Sequence, residues 1–242
     1  MTITSSHNEK LKTLRKLRQR RRDRDRLGQF VAEGEDLLAA ADAAGWVPVE
    51  RFAVSGSGLP GIEVDAAALK SVTELASGTR TLAIYSERWE ASVGVTQSGL
   101  VLYLHGVSDP GNVGTVLRSA AAFGASCVAL GPGSADPFSP KAVRASMGAI
   151  FSVPVARASP GQLPGTTIAL DAGAERELSA VAADLVPQAE ISVLIGAERE
   201  GLPAEVIAAC EHAARIPIAS ESLNAAIAAS LALYELRRIR PA

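Results

Sequence analysis

A group of short polar side chains lies just before an alanine-rich segment near the C-terminus. Residues 220–230 read SESLNAAIAAS, which predicts a helix with Ser222 as its N-cap and with Leu223 and Asn224 in its first turn. The free N–H groups and the dipole at such a helix end attract an electron-rich group. Three larger apolar residues recur at helical spacing and predict the core-facing stripe of this helix, namely Ile227, Leu231 and Tyr234. A capped core helix explains the alanines, but it does not explain why Ser222 and Asn224 share one end.

A second stretch that could support chemistry, residues 105–126, reads HGVSDPGNVGTVLRSAAAFGAS. Residues 109–111 predict a turn, Asn112 is placed to cap the helix that follows, and Gly124 can end it. The apolar positions at three-four spacing predict a buried face made of Val113, Val116, Leu117, Ala120 and Ala121. Arg118 falls on the opposite face, where it is either an ordinary surface arginine or a cation that faces a ligand. Gly114, in the first turn, permits close approach of another backbone or of a ligand.

The third stretch, residues 194–203, reads LIGAEREGLP. A buried strand runs into Gly196, a charged loop containing Glu198 follows, and Gly201 precedes a helix that Pro203 opens. Two glycines around a carboxylate after a strand suit a ligand-binding loop, although a plain strand-to-helix turn has the same pattern. The loop alone therefore leaves both interpretations open.

The charge distribution is strongly uneven along the chain. Residues 10–26, KLKTLRKLRQRRRDRDR, contain ten Lys or Arg and two Asp, a local charge of +8. The whole chain carries −2, so the remaining residues carry −10. Three leucines at helical spacing, Leu11, Leu14 and Leu17, allow this arm to lie on the domain as a solvated helix. The alternative is a helix that contacts phosphate groups, because Lys and Arg release counterions when they bind a polyanion.

The pattern of elements divides the chain into two α/β parts. The first, residues 1–92, contains a helix from about Glu35 to Ala44, a strand in VERFAVSG, a unit over residues 62–76 and a strand in TRTLAIYSE. A polar linker is expected over residues 88–99. The second part, residues 93–242, has six short apolar runs between helical segments: LVLYLHG, CVALG, IFSVPV, TTIALD, ISVLIG and ARIPIA. Such runs predict strands of a parallel sheet covered on both faces.

Several function classes are disfavoured by the sequence. The segment GPGSAD at residues 131–136 does not complete a GxGxxG dinucleotide motif, and the three histidines at 7, 105 and 212 are scattered. Cys127 and Cys210 have no metal-ligand spacing, so we expect no metal and reduced thiols in a cytoplasmic protein. The longest apolar runs are shorter than the ~20 residues that cross a bilayer, and no secretory signal precedes the arm. We therefore expect no membrane partner.

Taken together and in this order, the stretches resemble the SpoU family of RNA ribose 2′-O-methyltransferases. The resemblance runs through DPGNVGTVLRSAAAFGA, DPFSPKAVRASMGAIFSVPV, LIGAEREGLP and IPIASESLNAAIAASLALYE, and it covers most of residues 100–238. The segment FVAEGEDLL and the basic arm are similar to the RNA-binding domain of that family. The resemblance implies a SPOUT α/β domain whose C-terminal part forms a trefoil knot, preceded by a small α/β RNA-binding domain.

The resemblance also implies S-adenosylmethionine as cofactor, a homodimer, and a site near the dimer interface. The residues that match the polar positions of the active site are Asn112, Arg118, Glu198, Ser222 and Asn224. The residues expected to line the cofactor pocket are Gly196, Ile218 and Leu223, together with Ile195 and Gly201. The residues expected to contact RNA are Arg15, Arg18, Arg21, Arg22 and Arg144. Ribosomal RNA is the expected substrate, with transfer RNA, a non-catalytic RNA-binding role and a nucleotide-dependent enzyme of another class as alternatives.

Arg118 has two alternative roles in this chemistry. A ribose 2′-hydroxyl is a poor nucleophile until its proton leaves, so a site must align it with the methyl donor and stabilise the forming alkoxide. A guanidinium stays protonated below about pH 12, which disfavours it as the general base. We therefore expect Arg118 to act electrostatically and to clamp the adjacent phosphate, with water or phosphate taking the proton. Ser222 and Asn224 would orient the arginine or the ribose.

Overall fold

The computed structural model describes residues 2–73, 78–93, 99–186, 189–220 and 222–239, and the bounds below refer to these residues. The strands are β1 Gln29–Glu33, β2 Glu50–Val54, β3 Ile62–Val64, β4 Thr81–Ser86, β5 Leu100–Leu104, β6 Cys127–Leu130, β7 Val155–Arg157, β8 Thr166–Leu170, β9 Ile191–Ile195 and β10 His212–Ala214. The helices are α1 Glu9–Gln19, α2 Arg21–Leu27, α3 Glu35–Ala43, α4 Ala66–Lys70, α5 Pro110–Phe123, α6 Pro140–Ala145, α7 Leu178–Ala183, α8 Ala204–Ala208 and α9 Ala225–Arg238. Short 3₁₀ turns cover Ala149–Phe151 and Pro160–Gln162.

The first sheet has four strands in the order β1-β4-β2-β3. Helix α1 of the basic arm is capped by Asn8, whose side chain accepts from the Lys10 N–H, and it packs on this sheet through fully buried leucines. These leucines belong to one apolar cluster with Phe52 and Leu82. The arm is therefore an ordered helix that lies on the sheet by its apolar side and carries its charges on the other side.

The second sheet is parallel throughout, with six strands in the order β10-β8-β9-β5-β6-β7. Alternate side chains of β5 enter different clusters: Leu102 packs with the core under α5 and α9, and Tyr103 packs with the apolar residues on the other face. Both faces of the sheet are thus covered, which explains why its central strands are continuous apolar runs. The predicted α/β class with a buried parallel sheet is confirmed. The predicted trefoil knot stays a prediction.

Two of the six predicted strands are displaced. In IFSVPV the first residues form the 3₁₀ turn, and the strand begins only at Val155, after Pro154. In ARIPIA the pairing ends at Ala214, and only an isolated bridge from Arg215 to Glu177 follows. Pro217 cannot donate a ladder hydrogen bond, so the apolar residues beside it leave the sheet. These residues line a cavity instead.

The two sheets are joined by a shared aromatic cluster. Phe30 and Tyr85 from the first part pack with Phe138 and Phe151 from the second, with ring centroids 4.9 to 6.0 Å from Phe30. Trp46 Nε1 donates to the Phe151 carbonyl at 2.8 Å. The domain boundary expected at residue 93 stays a prediction, since residues 94–98 of the linker lie outside the described residues, as do 74–76 of the unit over 62–76.

Over the described parts of the chain, no helix combines the length and the apolar character that crossing a membrane requires. In those same parts, no group of three or more His, Cys, Asp or Glu side chains is arranged as metal ligands would be.

Candidate active site

Helix α5 begins one turn earlier than the sequence predicts. Its N-cap is Asp109, whose Oδ1 accepts from the N–H groups of Gly111 and Asn112, and Pro110 takes the first helical position. Asn112 is therefore not the cap, and its side chain is free to reach another element. Gly124 ends the helix with φ of 70°, as predicted. Pro110 has no N–H to satisfy, and Asp109 accepts from the next two N–H groups, so this helix end is satisfied before Asn112 is reached.

The cap carboxylate is held in its charged form. Lys141 Nζ, on α6, lies 2.9 Å from Asp109 Oδ2 and donates to it. This contact and the two backbone N–H groups hold the pKa of Asp109 below its usual value. A charged Asp109 fixes the start of α5 and with it the direction of the Asn112 side chain.

Close packing of α5 depends on Gly114. A Cβ at this position would lie 2.3 Å from the Ala142 carbonyl oxygen and 2.7 Å from Ala145 Cβ, so the backbone of α6 is the group that approaches. The predicted buried face of α5 is correct except for Ala121, which is exposed. Arg118 is exposed on the other side, as expected.

Helix α9 is capped by Asn224, and the prediction of Ser222 as the cap is wrong. Asn224 Oδ1 accepts from Ala226 N at 2.9 Å and from Ile227 N at 3.3 Å. The prediction of the core stripe is also wrong, because the side of α9 that faces the core is formed mainly by alanines: Ala225, Ala226, Ala229 and Ala232, with Leu233 and Leu236. The predicted stripe residues are instead solvent-exposed: Ile227 by 50%, Leu231 by 42% and Tyr234 by 52%.

Three of the predicted polar residues meet at the end of α9. Asn224 Nδ2 donates to Glu198 Oε1 at 2.8 Å and to Asn112 Oδ1 at 3.1 Å. Asn112 Nδ2 donates to the same Glu198 oxygen. We call Asn112, Glu198 and Asn224 the amide–carboxylate cluster. Its members come from three separate segments of sequence, so the fold assembles it rather than any local motif.

Glu198 is held at the tip of a tight loop after β9. Ala197 and Gly201 exchange backbone hydrogen bonds of 3.2 and 2.9 Å, and Gly201 has φ of 67°. A Cβ on Gly196 would lie 2.1 Å from the Gly201 carbonyl carbon and 2.3 Å from Leu202 N. Only glycine lets the loop fold back this closely.

Two cavities, each of about 280 Å³, lie on either side of residues 197–200. The first, which we call the Leu223 cavity, is lined among others by Asp171 and Ser222. It also contains all five residues expected in the cofactor pocket: Ile195, Gly196, Gly201, Ile218 and Leu223. The second, which we call the Asn112 cavity, is lined by residues 106–109 and Asn112. Glu198 borders both cavities.

Arg118 is not part of this arrangement within one chain. It lines a separate groove with Ala40, Ala44 and Met147. It lies six residues after Asn112 on α5, which is about 9 Å along the helix axis, and its side chain forms no hydrogen bond or ion pair with the described residues. The expectation that its guanidinium meets Ser222 and Asn224 in one pocket is therefore not fulfilled by a single chain.

The comparisons with known proteins agree with this geometry. Residues 99–234 match the SpoU rRNA Methylase family, and residues 8–83 match the MRM3-like substrate binding domain.

The chain belongs to the SpoU family.

Similar proteins cover nearly the whole chain of this SpoU protein. The 23S rRNA (guanosine(2553)-2′-O)-methyltransferase RlmP of Bacillus subtilis is 29% identical over 97% of this chain and 98% of its own. The SpoU methyltransferase AviRb of Streptomyces viridochromogenes, crystallised in complex with AdoMet, has a TM-score of 0.84 at 25% identity and covers 96% of this chain and 98% of its own. The AdoMet-bound rRNA methyltransferase of Sinorhizobium meliloti has a TM-score of 0.87 at 28% identity, over 100% and 99%. The predicted family membership is confirmed.

The arginines that the sequence assigned to RNA binding fall into different environments in the SpoU chain. Arg18 is buried and lies 3.4 Å from Glu33, so the structure does not support an RNA contact for it. Arg15 is half-buried and donates to the Ser6 carbonyl and Ser71 Oγ, both at 3.4 Å. Arg21, Arg22 and Arg144 are exposed. Arg18 lies four residues after Leu14 and seven after Leu11, so its spacing in the sequence already places it on the buried side of α1 with the leucines.

Sequence reasoning missed two features of the SpoU chain near this site. Asp171 directly follows β8 and lines the Leu223 cavity. Ligand sites often form at the carboxyl ends of parallel strands, so a polar residue directly after a predicted strand was the available signal. Trp89 and Arg157 form a cation–π pair, with the guanidinium carbon 4.2 Å from the ring centroid. The only sequence signal for the pair is a tryptophan in the polar segment that was assigned to the linker.

Proposed function

We propose that this SpoU protein transfers a methyl group from S-adenosylmethionine to a ribose 2′-hydroxyl of ribosomal RNA. The observation that carries the proposal is the position of the amide–carboxylate cluster between two cavities that share one wall. A transfer reaction needs this arrangement, because donor and acceptor must reach one point from two sides. The names of RlmP and AviRb, an rRNA 2′-O-methyltransferase and a methyltransferase bound to AdoMet, support the same reaction.

The residues of the Leu223 cavity fit S-adenosylmethionine. Ile195, Ile218 and Leu223 offer apolar surface suited to an adenine ring, and Asp171 offers a carboxylate suited to a cationic or hydroxyl-bearing part of the ligand. Gly196 lets the loop of residues 197–201 fold back and close one side of the cavity. When bound, the cofactor supplies an electrophilic methyl group.

The amide–carboxylate cluster is suited to orient the ribose. Both amides donate to Oε1 of Glu198, whereas Oε2 forms no hydrogen bond with the described residues. Oε2 is therefore available to accept from a hydroxyl that enters from the Asn112 cavity. Such a hydrogen bond would hold the hydroxyl proton on the Glu198 side, so that a lone pair of the ribose oxygen points across the shared wall towards the methyl donor. The carboxylate would also stabilise the positive charge that develops on the hydroxyl proton during the transfer.

Arg118 would act across a homodimer interface. The exposed residues Ile227, Leu231 and Tyr234 form an apolar stripe on α9, and such a stripe on a folded chain marks an association surface. This stripe is adjacent to α5, since Ser119 Oγ lies 2.7 Å from Ser230 Oγ. A two-fold axis through the stripe brings α5 of one subunit towards the site of the other. There the guanidinium would stabilise the alkoxide and bind the neighbouring phosphate, while water or phosphate takes the proton.

The dimer is tested by a charge placed in the apolar stripe. Leu231→Glu should convert the protein to monomers in analytical ultracentrifugation, because a buried unpaired carboxylate destabilises an apolar interface. Val47→Glu, the same kind of change at an exposed apolar residue outside the stripe, is the matched control and should leave the mass unchanged. A wild-type protein that sediments as a monomer at all concentrations would refute the interface.

The reaction is tested by mass mapping of ribose methylation in ribosomal and transfer RNA from cells with and without the gene. One ribose methyl group should be missing from ribosomal RNA of the deleted strain, and the purified protein with S-adenosylmethionine should restore it. Glu198→Gln should remove the activity, whereas Glu211→Gln, an exposed carboxylate away from both cavities, should not. Loss of a methyl group from transfer RNA alone would contradict the substrate. Failure to bind S-adenosylmethionine in calorimetry would favour a non-catalytic RNA-binding protein. Cytoplasmic localisation follows from a ribosomal substrate.

A further inference from the structure

A third cavity, of about 510 Å³, lies where β6 and β7 end. It is lined by Trp89, Arg157, Arg21, Gln162 and residues 130–137, and we call it the Trp89 cavity. Its volume lies within the ~300–1,000 Å³ that is usual for small-molecule sites. It shares no residue with the Leu223 or Asn112 cavities, so the proposed methyl transfer does not account for it.

The Trp89–Arg157 pair is held rigidly in this cavity. Trp89 Nε1 donates to Glu87 Oε2 at 2.8 Å, and the ring packs edge-to-face with Phe138 at 5.2 Å between centroids. The guanidinium of Arg157 lies over this fixed ring, with its central carbon 4.2 Å from the ring centroid. Arg157 is exposed and forms no hydrogen bond or ion pair with any described residue, so its donors remain available to a ligand.

The charged side chains that line the cavity are Arg21, Arg157 and Asp136, which together carry a formal charge of +1. Asp136 is neutralised by Arg24, whose Nε and Nη2 lie 2.9 and 2.8 Å from Oδ2. Glu87 accepts from the indole of Trp89 and is half-buried. Arg21 stands at the rim with 59% of its side chain exposed and only a 3.6 Å contact to Asp25. The cavity therefore offers a flat cation, a second exposed cation and an aromatic support, which together suit a nucleotide.

The Trp89 cavity lies close to the proposed ribose site. Gly106 N donates to the Pro132 carbonyl at 3.0 Å, and Ala135 N donates to the Val107 carbonyl at 2.9 Å. Gly106 and Val107 line the Asn112 cavity, so one layer of loop separates the two cavities. Since β5 and β6 are neighbours in the sheet, the separation is one or two strand spacings, about 5–10 Å. An RNA strand can occupy both cavities with adjacent or nearly adjacent nucleotides.

We propose that the Trp89 cavity binds an unpaired nucleotide that flanks the methylated one, with its base stacked on the Arg157 guanidinium and its phosphate near Arg21. This rests on the proposed function, because the occupant is part of the same RNA substrate. Sequence-specific RNA recognition commonly uses splayed bases that stack on aromatic rings or on guanidinium planes. Trp89 then acts as a positioning residue for Arg157, which touches the base.

Kinetics of three variants test the role of Arg157. The substrate is ribosomal RNA from cells that lack the gene. Arg157→Gln should raise the KM for RNA about tenfold, within the range for loss of one stacked base. The kcat and the calorimetric Kd for S-adenosylmethionine should stay within about twofold of wild type. Arg157→Lys should recover only part of the loss, since an ammonium keeps the charge but offers no plane. Arg176→Gln, an exposed arginine paired with Asp184, is the matched control and should behave as wild type.

A fluorescence titration tests the site without requiring catalysis. The chain has two tryptophans, so Trp46→Phe leaves Trp89 as the single reporter. A single-stranded mixed-sequence RNA hexamer should quench Trp89 in a saturable way, and adding Arg157→Gln should remove the quenching. The same hexamer without bases should not quench. Quenching by the abasic hexamer would overturn base stacking in favour of phosphate contact.

The two experiments separate failure of this site from failure of the proposed function. If the wild type methylates ribosomal RNA but Arg157→Gln matches Arg176→Gln in KM and no quenching occurs, the nucleotide site is refuted and the enzyme assignment stands. If saturable, Arg157-dependent quenching occurs but no ribose is methylated, the site stands and the proposed reaction is refuted. Should Trp46→Phe fail to fold, quenching of the two-tryptophan protein is compared with that of its Arg157→Gln variant.

Discussion

Asn112 and Arg118 lie on the same helix, yet the structure holds them in opposite ways. The amide of Asn112 is engaged at both atoms, with Glu198 and Asn224, and the start of its helix is fixed by Asp109. Arg118 is exposed and hydrogen-bonded to none of the described residues. The first group is complete once the chain has folded, whereas no residue in the described parts of the chain fixes the second.

The same contrast separates the buried arginines from the exposed ones. Arg18 and Arg24 are buried beside Glu33 and Asp136, and they tie the basic arm to the rest of the molecule. Arg21 and Arg157 are exposed at a cavity. Burying a cation requires a paired anion, so the buried arginines serve the fold. The cations proposed to bind RNA are exposed and have no buried carboxylate beside them, and composition alone cannot separate the two groups.

The largest expected effect comes from substitution of Arg118, which tests whether this arginine of one subunit acts in the active site of the other. Arg118→Ala should lower kcat by about 10²–10³-fold, as expected for loss of one charge-stabilising group. Asn224→Ala, on its own, should also be inactive. Mixing the two variants after reversible dissociation should restore activity to about a quarter of wild type, because half of the dimers are mixed and each mixed dimer has one intact site.

The mixing experiment has a clear contrary outcome. If Arg118 acted within its own chain, both sites of a mixed dimer would lack one group, and no activity would return. Thermal unfolding of Arg118→Ala should match wild type, since the side chain contacts no described partner that its removal would leave unpaired. If stability fell in parallel with activity, Arg118 would support the fold of its own chain, and the distinction drawn between Arg118 and Asn112 would be wrong.

How far the sequence predicts this molecule depends on whether a feature is local. The buried parallel strands, the end of α5 at Gly124 and the close approach at Gly114 follow from patterns of a few residues, and the structure confirms them. Helix starts were less predictable, because Ser222 and Asn224 are both good caps. Asn224 caps through Oδ1 while its Nδ2 donates to Glu198, a residue distant in sequence.

The stripe on α9 could not be predicted correctly from one chain. Ile227, Leu231 and Tyr234 have the spacing of a core face, and that spacing is identical when the apolar partner is another subunit. The alanines fill the true core face because the helix packs closely against α5. Likewise, the meeting of Asn112 with Glu198 depends on the order of strands in the sheet, which no local pattern contains.

A substitution at Gly196 tests whether the loop that carries Glu198, and with it the amide–carboxylate cluster, depends on close backbone packing. Gly196→Ala places a Cβ 2.1 Å from the Gly201 carbonyl carbon, a backbone contact that cannot relax by a rotamer change. The free energy of unfolding should fall by about 1–3 kcal/mol, as for overpacking of a tight site. Urea unfolding measures the change. Gly161→Ala, whose Cβ meets no atom within 4 Å, is the matched control and should change stability by less than about 0.5 kcal/mol. Equal effects of both variants would contradict the tight loop.

Asn224 has two roles that substitution can separate. Asn224→Ala should lower the free energy of unfolding by about 1 kcal/mol through loss of the α9 cap. Asn224→Ser should recover that stability, because serine caps as well as asparagine. It should not recover activity, since a hydroxyl cannot reach both Glu198 and Asn112. The measurements are urea unfolding and single-turnover methylation. Full activity in the serine variant would show that the cap alone, and not the amide–carboxylate cluster, is what the reaction needs.

The smallest expected effect is a pH dependence at Glu87, which accepts a hydrogen bond from the half-buried Trp89. Burial raises the pKa of Glu87 above its ordinary value of 4.5, and the nearby carboxylates of Asp136 and Asp25 add to the shift. The Trp89 hydrogen bond and the charge of Arg157 oppose it. A carboxyl with a raised folded pKa binds its proton more readily when folded, so its contribution to the free energy of unfolding falls as pH rises from 4.5 through the folded pKa. Glu87→Gln keeps an acceptor for the indole and removes this titration. In urea unfolding, the free energy of unfolding of the variant relative to wild type should therefore rise over that pH window and then stay constant at higher pH. If wild type instead gained stability relative to the variant, the Glu87 carboxylate would be stabilised by its surroundings. Glu87 would then offset part of the positive charge assigned to the Trp89 cavity.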